Sequence, residues 1–199
     1  MEPDRPHQKR VRHYDDPGHL RELTFSCYRR MPLLTNDVWR AELSRSVDRA
    51  MLGHGYRLAA FVYMPEHVHL VVYPRAEADG IDRLLRAIKR PYSYRIKKLL
   101  AEAGSPLLEK LTIRQRPGVQ TFRFWQEGPG YDRNLTEAKT VLSSIDYVHM
   151  NPVRRGLCRA AVDWRWSTAR HHAAEEPPQD PLLPVVHGLP AEFFDPRDD

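Results

Sequence analysis

Two largely apolar runs separated by only three residues place the strongest constraint on the fold of this chain. The first run is Tyr56–Tyr63 and the second covers residues 67–73, with Met-Pro-Glu between them. Strands this close in sequence form an antiparallel hairpin or a sharply bent pair. Residues 70–72 are apolar in succession, which is typical of a central strand covered on both faces. The sequence therefore predicts a pair of adjacent strands, the second of which is central in its sheet.

The rest of the chain supplies further strand and helix patterns. Alternation in polarity predicts strands over residues 20–28 and 120–125. Helical spacing of apolar residues predicts helices that begin after Asn36, at Ile81 and after Thr136. The order β-α-β-β-α-β followed by one more helix is that of a ferredoxin-like sandwich with an added C-terminal helix, so we predict an α+β fold.

Three segments interrupt these patterns. Pro91 lies inside the second helix, where the missing N–H is expected to kink or split it. Residues 103–118 are rich in Gly, Pro and charge and predict a loop, and residues 126–134 predict a turn-rich connection.

His67 and His69 open the second of the two apolar runs. Because a strand has a period of two, both side chains project from the same face of the sheet. Two imidazoles on one face of a rigid strand can hold one divalent metal ion. A His-x-His pair alone is weak evidence, since such pairs also occur in cores and on surfaces that bind no metal.

A second polar constellation lies about eighty residues further on. Tyr147 falls on a helix face that it shares with Ser143 and Ser144, so its hydroxyl could meet a ligand. The alternative is a partly buried aromatic side chain with its hydroxyl at the edge of the core. Asn151 follows one turn later on the same face, and Pro152 disfavours further helix.

Positive charge is concentrated in the body of the chain. The net charge is +5, although residues 174–199 contain seven acidic residues and one basic residue. The cations crowd the predicted helix from Ile81, where they form either a solvated face or a phosphate-binding surface, and we favour the second. They are Arg83, Arg86, Lys89, Arg90, Arg95, Lys97 and Lys98.

Four segments together resemble a known family. They are MPEHVHLVVYP, RFWQEG, IDYVHMNPVRRGL and DWRWSTAR. Over residues 18–172 the chain resembles the single-tyrosine transposases of the HUH superfamily, and among them the REP-associated tyrosine transposases. The resemblance implies that His67, His69 and Asn151 bind Mg²⁺ or Mn²⁺ and that Tyr147, on the added helix, is the catalytic nucleophile.

The resemblance also implies a substrate and a reaction. The substrate would be single-stranded DNA marked by a hairpin, cleaved and rejoined through a 5′-phosphotyrosine link. Beyond the basic helix, we expect Arg123, Arg154 and Arg155 to contact the backbone. We expect bases to stack on Trp125, Tyr131 or Phe124. Trp164 and Trp166 are instead expected to anchor the C-terminal segment to the core.

The chain divides into three predicted regions. Residues 1–19 form a flexible arm, 20–172 the transposase-like domain, and 173–199 an acidic, Pro-rich tail. The tail is either a linker, which we favour, or a DNA mimic that shields the basic surface. Cys27 and Cys158 lack metal-type spacing and are predicted to be free thiols. We expect a cytoplasmic protein, monomeric or homodimeric, that has no membrane partner.

Two other functions stay open at this point. A domesticated protein could bind DNA hairpins without cutting them, although such a protein has no need of His67, His69, Tyr147 and Asn151 together. An RNA-binding sheet is less favoured, because the chain lacks the aromatic pattern that such sheets carry.

Overall fold

A four-stranded antiparallel sheet lies at the centre of the computed structural model, which describes residues 19–128, 130–175 and 179–189. The strands are β1 (Leu20–Ser26), β2 (Tyr56–Tyr63), β3 (His67–Pro74), β4 (Thr112–Arg116), β5 (Val119–Phe122) and β6 (Tyr131–Leu135). The helices are α1 (Asp37–Gly53), α2 (Ile81–Glu102), α3 (Leu107–Lys110), α4 (Ala138–His149), α5 (Asn151–Arg154) and α6 (Ala169–Ala173).

The strand order in the sheet is β2-β3-β1-β6, and β4 pairs with β5 in a separate hairpin. The predicted α+β class is therefore confirmed, with the ferredoxin-like order β-α-β-β-α-β and the added helix α4. The β2–β3 hairpin predicted from the sequence is antiparallel, and the Met64 amide closes its turn by donating to the His67 carbonyl at 2.9 Å. The side chain of Asn36 caps α1 as predicted, accepting from the amides of Val38 and Trp39.

The fourth strand of the sheet is not the one predicted. It is β6, which lies in the segment predicted to be a turn-rich connection. Residues 119–122, which overlap the predicted fourth strand, pair instead with β4, and β4 lies in the segment predicted to be a loop. The reason is that β6 lacks alternating apolar side chains. Its backbone pairs with β1, and a buried ion pair between Arg21 and Asp132, 3.3 Å apart, adds to the contact. The cap of α4 is also one residue later than predicted, at Glu137.

Helix α2 runs without interruption from Ile81 to Glu102, so the predicted split at Pro91 is wrong. A proline inside a helix costs about 3 kcal/mol. Ile88 and Tyr92 flank it and are both fully buried. Each such side chain gains about 1.5–3 kcal/mol on burial, so their packing offsets the loss.

The two faces of the sheet are covered by different helices. Leu23 and Phe25 of β1 point into the larger core, which contains residues of α1 and α2. The alternate residues of β1, such as Leu20, pack on the other face with Val141 and Ile145 of α4. Every even-numbered position of β1 therefore faces α4, and so do the odd-numbered positions of β3.

The C-terminal part of the chain covers the outer edge of β2, the edge that does not pair with β3. The Tyr63 amide donates to the Trp166 carbonyl, Thr168 bonds the backbone of Phe61, and the His187 amide donates to the Leu58 carbonyl at 2.8 Å. Residues 179–189 thus pack on the domain, and for them the linker interpretation is wrong. The predicted arm up to residue 18 and residues 190–199 of the tail lie outside the described residues.

Other sequence expectations concern covalent and membrane features. Cys27 and Cys158 are free thiols, as predicted, and burial raises the pKa of Cys27 well above its usual value. Within the described parts of the chain, every helix is too short or too polar to cross a lipid bilayer.

Trp166 is predicted to be a major source of stability. It is 3% exposed, and its indole N–H donates to Asp37 at 2.8 Å. We expect Trp166→Ala to lower the free energy of unfolding by about 3–5 kcal/mol, measured by urea denaturation. Leu52→Ala, at an 81% exposed position of α1, is the matched control and should change it little. A loss no greater than that of the control would contradict the role assigned to Trp166.

Candidate active site

His67 and His69 lie on the face of β3 that is turned towards α4, as the period of two predicted. Their Nε2 atoms are 2.9 Å apart, with the ring planes inclined at 77°. Two nitrogens that bind one ion at a right angle, each about 2.1 Å from it, are about 3 Å apart. The arrangement of the two rings therefore fits a shared divalent metal ion.

The opposite ring nitrogens of both histidines are held by hydrogen bonds. His67 Nδ1 lies 3.1 Å from the Glu66 carboxylate, which in turn accepts from Arg155 at 2.6 Å. His69 Nδ1 lies 2.9 Å from the Thr24 hydroxyl. A carboxylate only accepts, so Nδ1 of His67 carries the proton and its Nε2 presents a lone pair. Partners on Nδ1 are the usual means of orienting metal-binding histidines.

Electrostatics favour the neutral form of both imidazoles. Burial lowers the pKa of His67, and burial together with the neighbouring His67 lowers the pKa of His69 to about 3. Burial raises the pKa of Glu66, but the Arg155 hydrogen bond, the neighbouring His67 and the Arg155 charge together outweigh burial and hold this pKa below its usual value. At neutral pH the site thus presents neutral imidazole nitrogens, which is the ligand form.

Tyr147 lies on the wall of a cavity of about 620 Å³ between the sheet and α4, and His69 lies on the opposite wall. Tyr147 is 52% exposed, so the sequence expectation that it is not a core residue is confirmed. The Arg154 guanidinium stacks over its ring, 4.5 Å from the ring centre. One chain therefore supplies both the tyrosine and a histidine to the same cavity.

The cavity has a sheet wall and a helix wall. The sheet wall consists of Glu22, Thr24, His69, Tyr131 and Arg133.

On the helix wall the residues are Lys139, Thr140, Ser143, Ser144 and Tyr147. Its Ser144 hydroxyl donates to the buried Glu22 carboxylate at 2.8 Å, which ties α4 to β1 at the floor of the cavity. The lining thus combines charged and hydroxyl groups with the rings of Tyr131 and Tyr147.

Sequence reasoning missed most of this lining. Glu22 and Thr24 alternate with Leu23 and Phe25 in β1, so the period of two could have placed them on the face of the histidines. Arg133 was missed because β6 was not predicted.

Asn151 is not among the residues that line the cavity. Its Nδ2 atom donates to the carbonyls of Tyr147 and Val148, at 3.1 and 3.2 Å, and so caps the end of α4. The structure does not bring Asn151 into contact with the histidines, and its role as a metal ligand stays a prediction.

The cations predicted on α2 lie on the face of the sheet opposite the histidines. Most are engaged within the chain: Arg83 with Asp79, Arg86 with the Asp82 carbonyl, Arg95 with Glu42 and Lys98 with Glu102. Lys89 packs over the Phe25 ring, and burial lowers its pKa to about 8. Arg90 and Lys97 are exposed to solvent.

The residues outside α2 that were predicted to contact DNA differ in how exposed they are. Trp125 is 7% exposed and packs edge-on against Phe25 and Phe124, so the prediction that it stacks on DNA bases is wrong. Phe124 is also buried. Arg123 is half-buried and forms an ion pair with Glu127.

Arg154 lies over the Tyr147 ring, and Arg155 donates to the Glu66 carboxylate. Both side chains are exposed, on the side of the sheet that carries the histidines.

His149 is close to Tyr147 in sequence but faces away from the cavity. Its Nε2 lies 2.7 Å from the Thr168 hydroxyl, and burial, with His172 nearby, lowers its pKa to about 4. The unfolded chain, with an ordinary His pKa of about 6.5, therefore binds a proton that the folded protein does not.

This pKa shift predicts acid sensitivity. The contribution of neutral His149 to the free energy of unfolding is fully present above about pH 6.5. It is lost as the pH falls to about 4, which lowers the free energy of unfolding by up to about 3 kcal/mol. In His149→Gln the decline of unfolding free energy over this range should be shallower than in the wild type, as measured by urea denaturation at each pH. Parallel curves for the two proteins would contradict the assignment.

Comparison with known proteins identifies a family for this chain. Residues 19–149, more than half of the chain, match the family model described as IS200-like transposase. A REP-associated tyrosine transposase of Escherichia coli (strain K12) is 24% identical over 147 residues, which cover 73% of each chain.

A solved structure extends the comparison to the fold. The REP-associated tyrosine transposase bound to a REP hairpin superposes with a TM-score of 0.62 at 21% identity, covering 86% of this chain and 88% of that one. At this identity the match concerns the fold. With the family model matching across the sheet and α4, this chain belongs to the IS200-like transposase family.

Proposed function

We propose that this protein is a metal-dependent transposase or nickase that cleaves and rejoins single-stranded, hairpin-marked DNA. The observation that carries the proposal is the convergence of the His67 and His69 Nε2 atoms, 2.9 Å apart, beside a cavity that Tyr147 lines from α4. A DNA-processing enzyme of this kind is what membership of the transposase family leads us to expect.

The metal would be Mg²⁺ or Mn²⁺, held by His67, His69 and Asn151. Because Nδ2 of Asn151 is engaged with the end of α4, its amide oxygen is the ligand atom in this proposal. When bound, such an ion withdraws negative charge from the scissile phosphate and orients it for in-line attack. Mixed nitrogen and oxygen ligation suits Mn²⁺, although the more abundant Mg²⁺ also accepts oxygen ligands.

Tyr147 supplies the nucleophile. Its phenolic oxygen forms the new bond to phosphorus, the bond from phosphorus to the 3′-oxygen breaks, and the phenolic proton passes to the leaving 3′-oxygen or to water. The Arg154 cation over the ring would stabilise negative charge on the phenolate. The 5′-phosphotyrosine link retains the energy of the broken bond, so rejoining to a 3′-hydroxyl needs no nucleotide cofactor.

The substrate is proposed from chemistry and from the relatives. Attack on one strand requires that the strand be unpaired, and the solved relative is bound to a REP hairpin. Arg154 and Arg155 would take backbone phosphates beside the site. Because His69 and Tyr147 line one cavity of one chain, a monomer would suffice, and a DNA substrate fits a cytoplasmic location.

A second function has one observation in its favour. Asn151 does not line the cavity. A protein that binds DNA hairpins and has lost cleavage would need no third metal ligand there.

The test that separates the two uses end-labelled single-stranded DNA containing hairpins from the flanks of the protein's own gene. The protein is incubated with this DNA and Mn²⁺ or Mg²⁺, with EDTA as the control, and run on a denaturing gel. We expect a metal-dependent adduct that survives denaturation. A shift on a native gel with no adduct or nick under either metal would overturn the enzyme and leave the hairpin-binding protein.

A further inference from the structure

Tyr131 stands in line with the candidate metal site across three strands. In the sheet register Tyr131 of β6 pairs with Thr24 of β1, and Thr24 pairs with His69 of β3. Directly paired residues of antiparallel strands project from the same face. Tyr131 is therefore about 10 Å, two strand spacings, from His69 on the face that α4 covers.

The position of Tyr131 is fixed by the residue before it. Gly130 has a φ of +79°, and a Cβ atom there would lie 2.3 Å from the Thr24 carbonyl oxygen. Glycine thus lets β6 begin in close contact with the backbone of Thr24 in β1, the residue whose hydroxyl lies beside His69.

The ring of Tyr131 has a free face. It is 53% exposed, and in the described part of the chain it forms no ring–ring or cation–π contact. The aromatic side chains of the larger core, such as Phe124 and Trp125, are buried against one another instead. An exposed aromatic ring on a rigid strand loses little entropy when a flat ligand stacks on it.

The groups around Tyr131 suit a nucleotide. Arg133 on the sheet wall and Lys139 on the helix wall are exposed cations that can pair with a phosphate. The hydroxyls of Thr140 and Ser143 can donate to or accept from the edge of a base. The cavity therefore combines a stacking surface, hydrogen-bonding groups and positive charge.

We infer that this cavity binds the nucleotide next to the scissile phosphate, with its base stacked on Tyr131. The inference rests on the proposed function, because it takes the metal end of the cavity as the place of the phosphate. Tyr131 then positions one nucleotide of the strand and Tyr147 attacks beside it. Tyr131 thus determines which phosphate of a bound strand lies at the histidines.

The test uses 2-aminopurine, a base whose fluorescence falls when it stacks. It is placed in turn at each single-stranded position beside a hairpin from the flanks of the gene, and the DNA is titrated with Tyr147→Phe protein so that no cleavage intervenes. We expect quenching at one position, its loss in Tyr131→Ala, and its retention in Tyr131→Phe. Affinity for this DNA should fall roughly tenfold in Tyr131→Ala.

The matched control is Tyr94→Ala, which removes a 73% exposed tyrosine from α2 on the other face of the sheet. It should leave both quenching and affinity unchanged. Unchanged quenching in Tyr131→Ala, or no binding of this DNA by the parent protein, would overturn the inference. Quenching lost only in Tyr131→Ala, from a protein whose unmodified form makes no adduct, would support the subsite while refuting cleavage.

Discussion

Tyr147→Phe is expected to lower covalent adduct formation by at least roughly a thousandfold, the order of loss when a catalytic nucleophile is removed. The substitution deletes one oxygen atom and retains the ring, so the contact between the ring and Arg154 stays in place. Affinity for the same hairpin DNA should therefore change little. The two quantities are measured on a denaturing gel and on a native gel with the same labelled DNA.

Tyr94→Phe is the matched control for this prediction. It makes the same chemical change at an exposed tyrosine of α2, and the adduct should form at the wild-type level. An adduct that persists in Tyr147→Phe would show that another side chain attacks the phosphate. Equal loss in both variants would point to damage that is not specific to the site.

His67→Ala and His69→Ala are each expected to weaken Mn²⁺ binding roughly a hundredfold or more. Each removes one of the two imidazoles whose Nε2 atoms converge, and loss of groups that only orient ligands already costs 10–100-fold (roughly). Titration calorimetry of the DNA-free protein measures the affinity, and the spectrum of free Mn²⁺ by electron paramagnetic resonance provides a second readout.

His54→Ala serves as the control for these variants, because His54 pairs with Asp79 at the end of α1 away from the cavity. Its Mn²⁺ affinity should equal that of the wild type. Unaltered Mn²⁺ binding in His67→Ala and His69→Ala would refute the metal site. Glu66→Gln should give an intermediate loss, because Glu66 orients His67 without lying beside Nε2.

The histidines and the tyrosine could be found from the sequence because each depends on local geometry. The period of two in β3 places His67 and His69 on one face, and the structure has them there. The helical spacing of α4 separates Tyr147 from Val141 and Ile145, and these two are buried while Tyr147 is exposed. Short-range periodicity sufficed for both elements.

The error at Trp125 arose where a strand pattern was extended too far. Alternation over residues 120–125 put Trp125 opposite Phe124. In the structure β5 ends at Phe122, and beyond it the chain no longer alternates, so both aromatic side chains enter the core. Whether Trp125 is exposed or buried therefore depends on where the strand ends, and tertiary packing determines that end.

The basic helix α2 shows a second limit of prediction from sequence. The spacing of Leu84, Ile88 and Tyr92 correctly gives the buried face of α2. It does not say which face of the sheet the helix covers, and α2 covers the face without the histidines. Its exposed cations are therefore separated from the candidate site by the sheet, and DNA would have to pass around the edge of the domain to reach both.

The most direct test of the account is to locate the covalent bond. The adduct formed with Mn²⁺ would be digested with nuclease and protease, and the peptides analysed by tandem mass spectrometry. We predict a nucleotide attached through its 5′-phosphate to Tyr147, and none when Mn²⁺ is chelated. A nucleotide on any other residue, or an adduct that forms equally well without metal, would contradict the proposed mechanism.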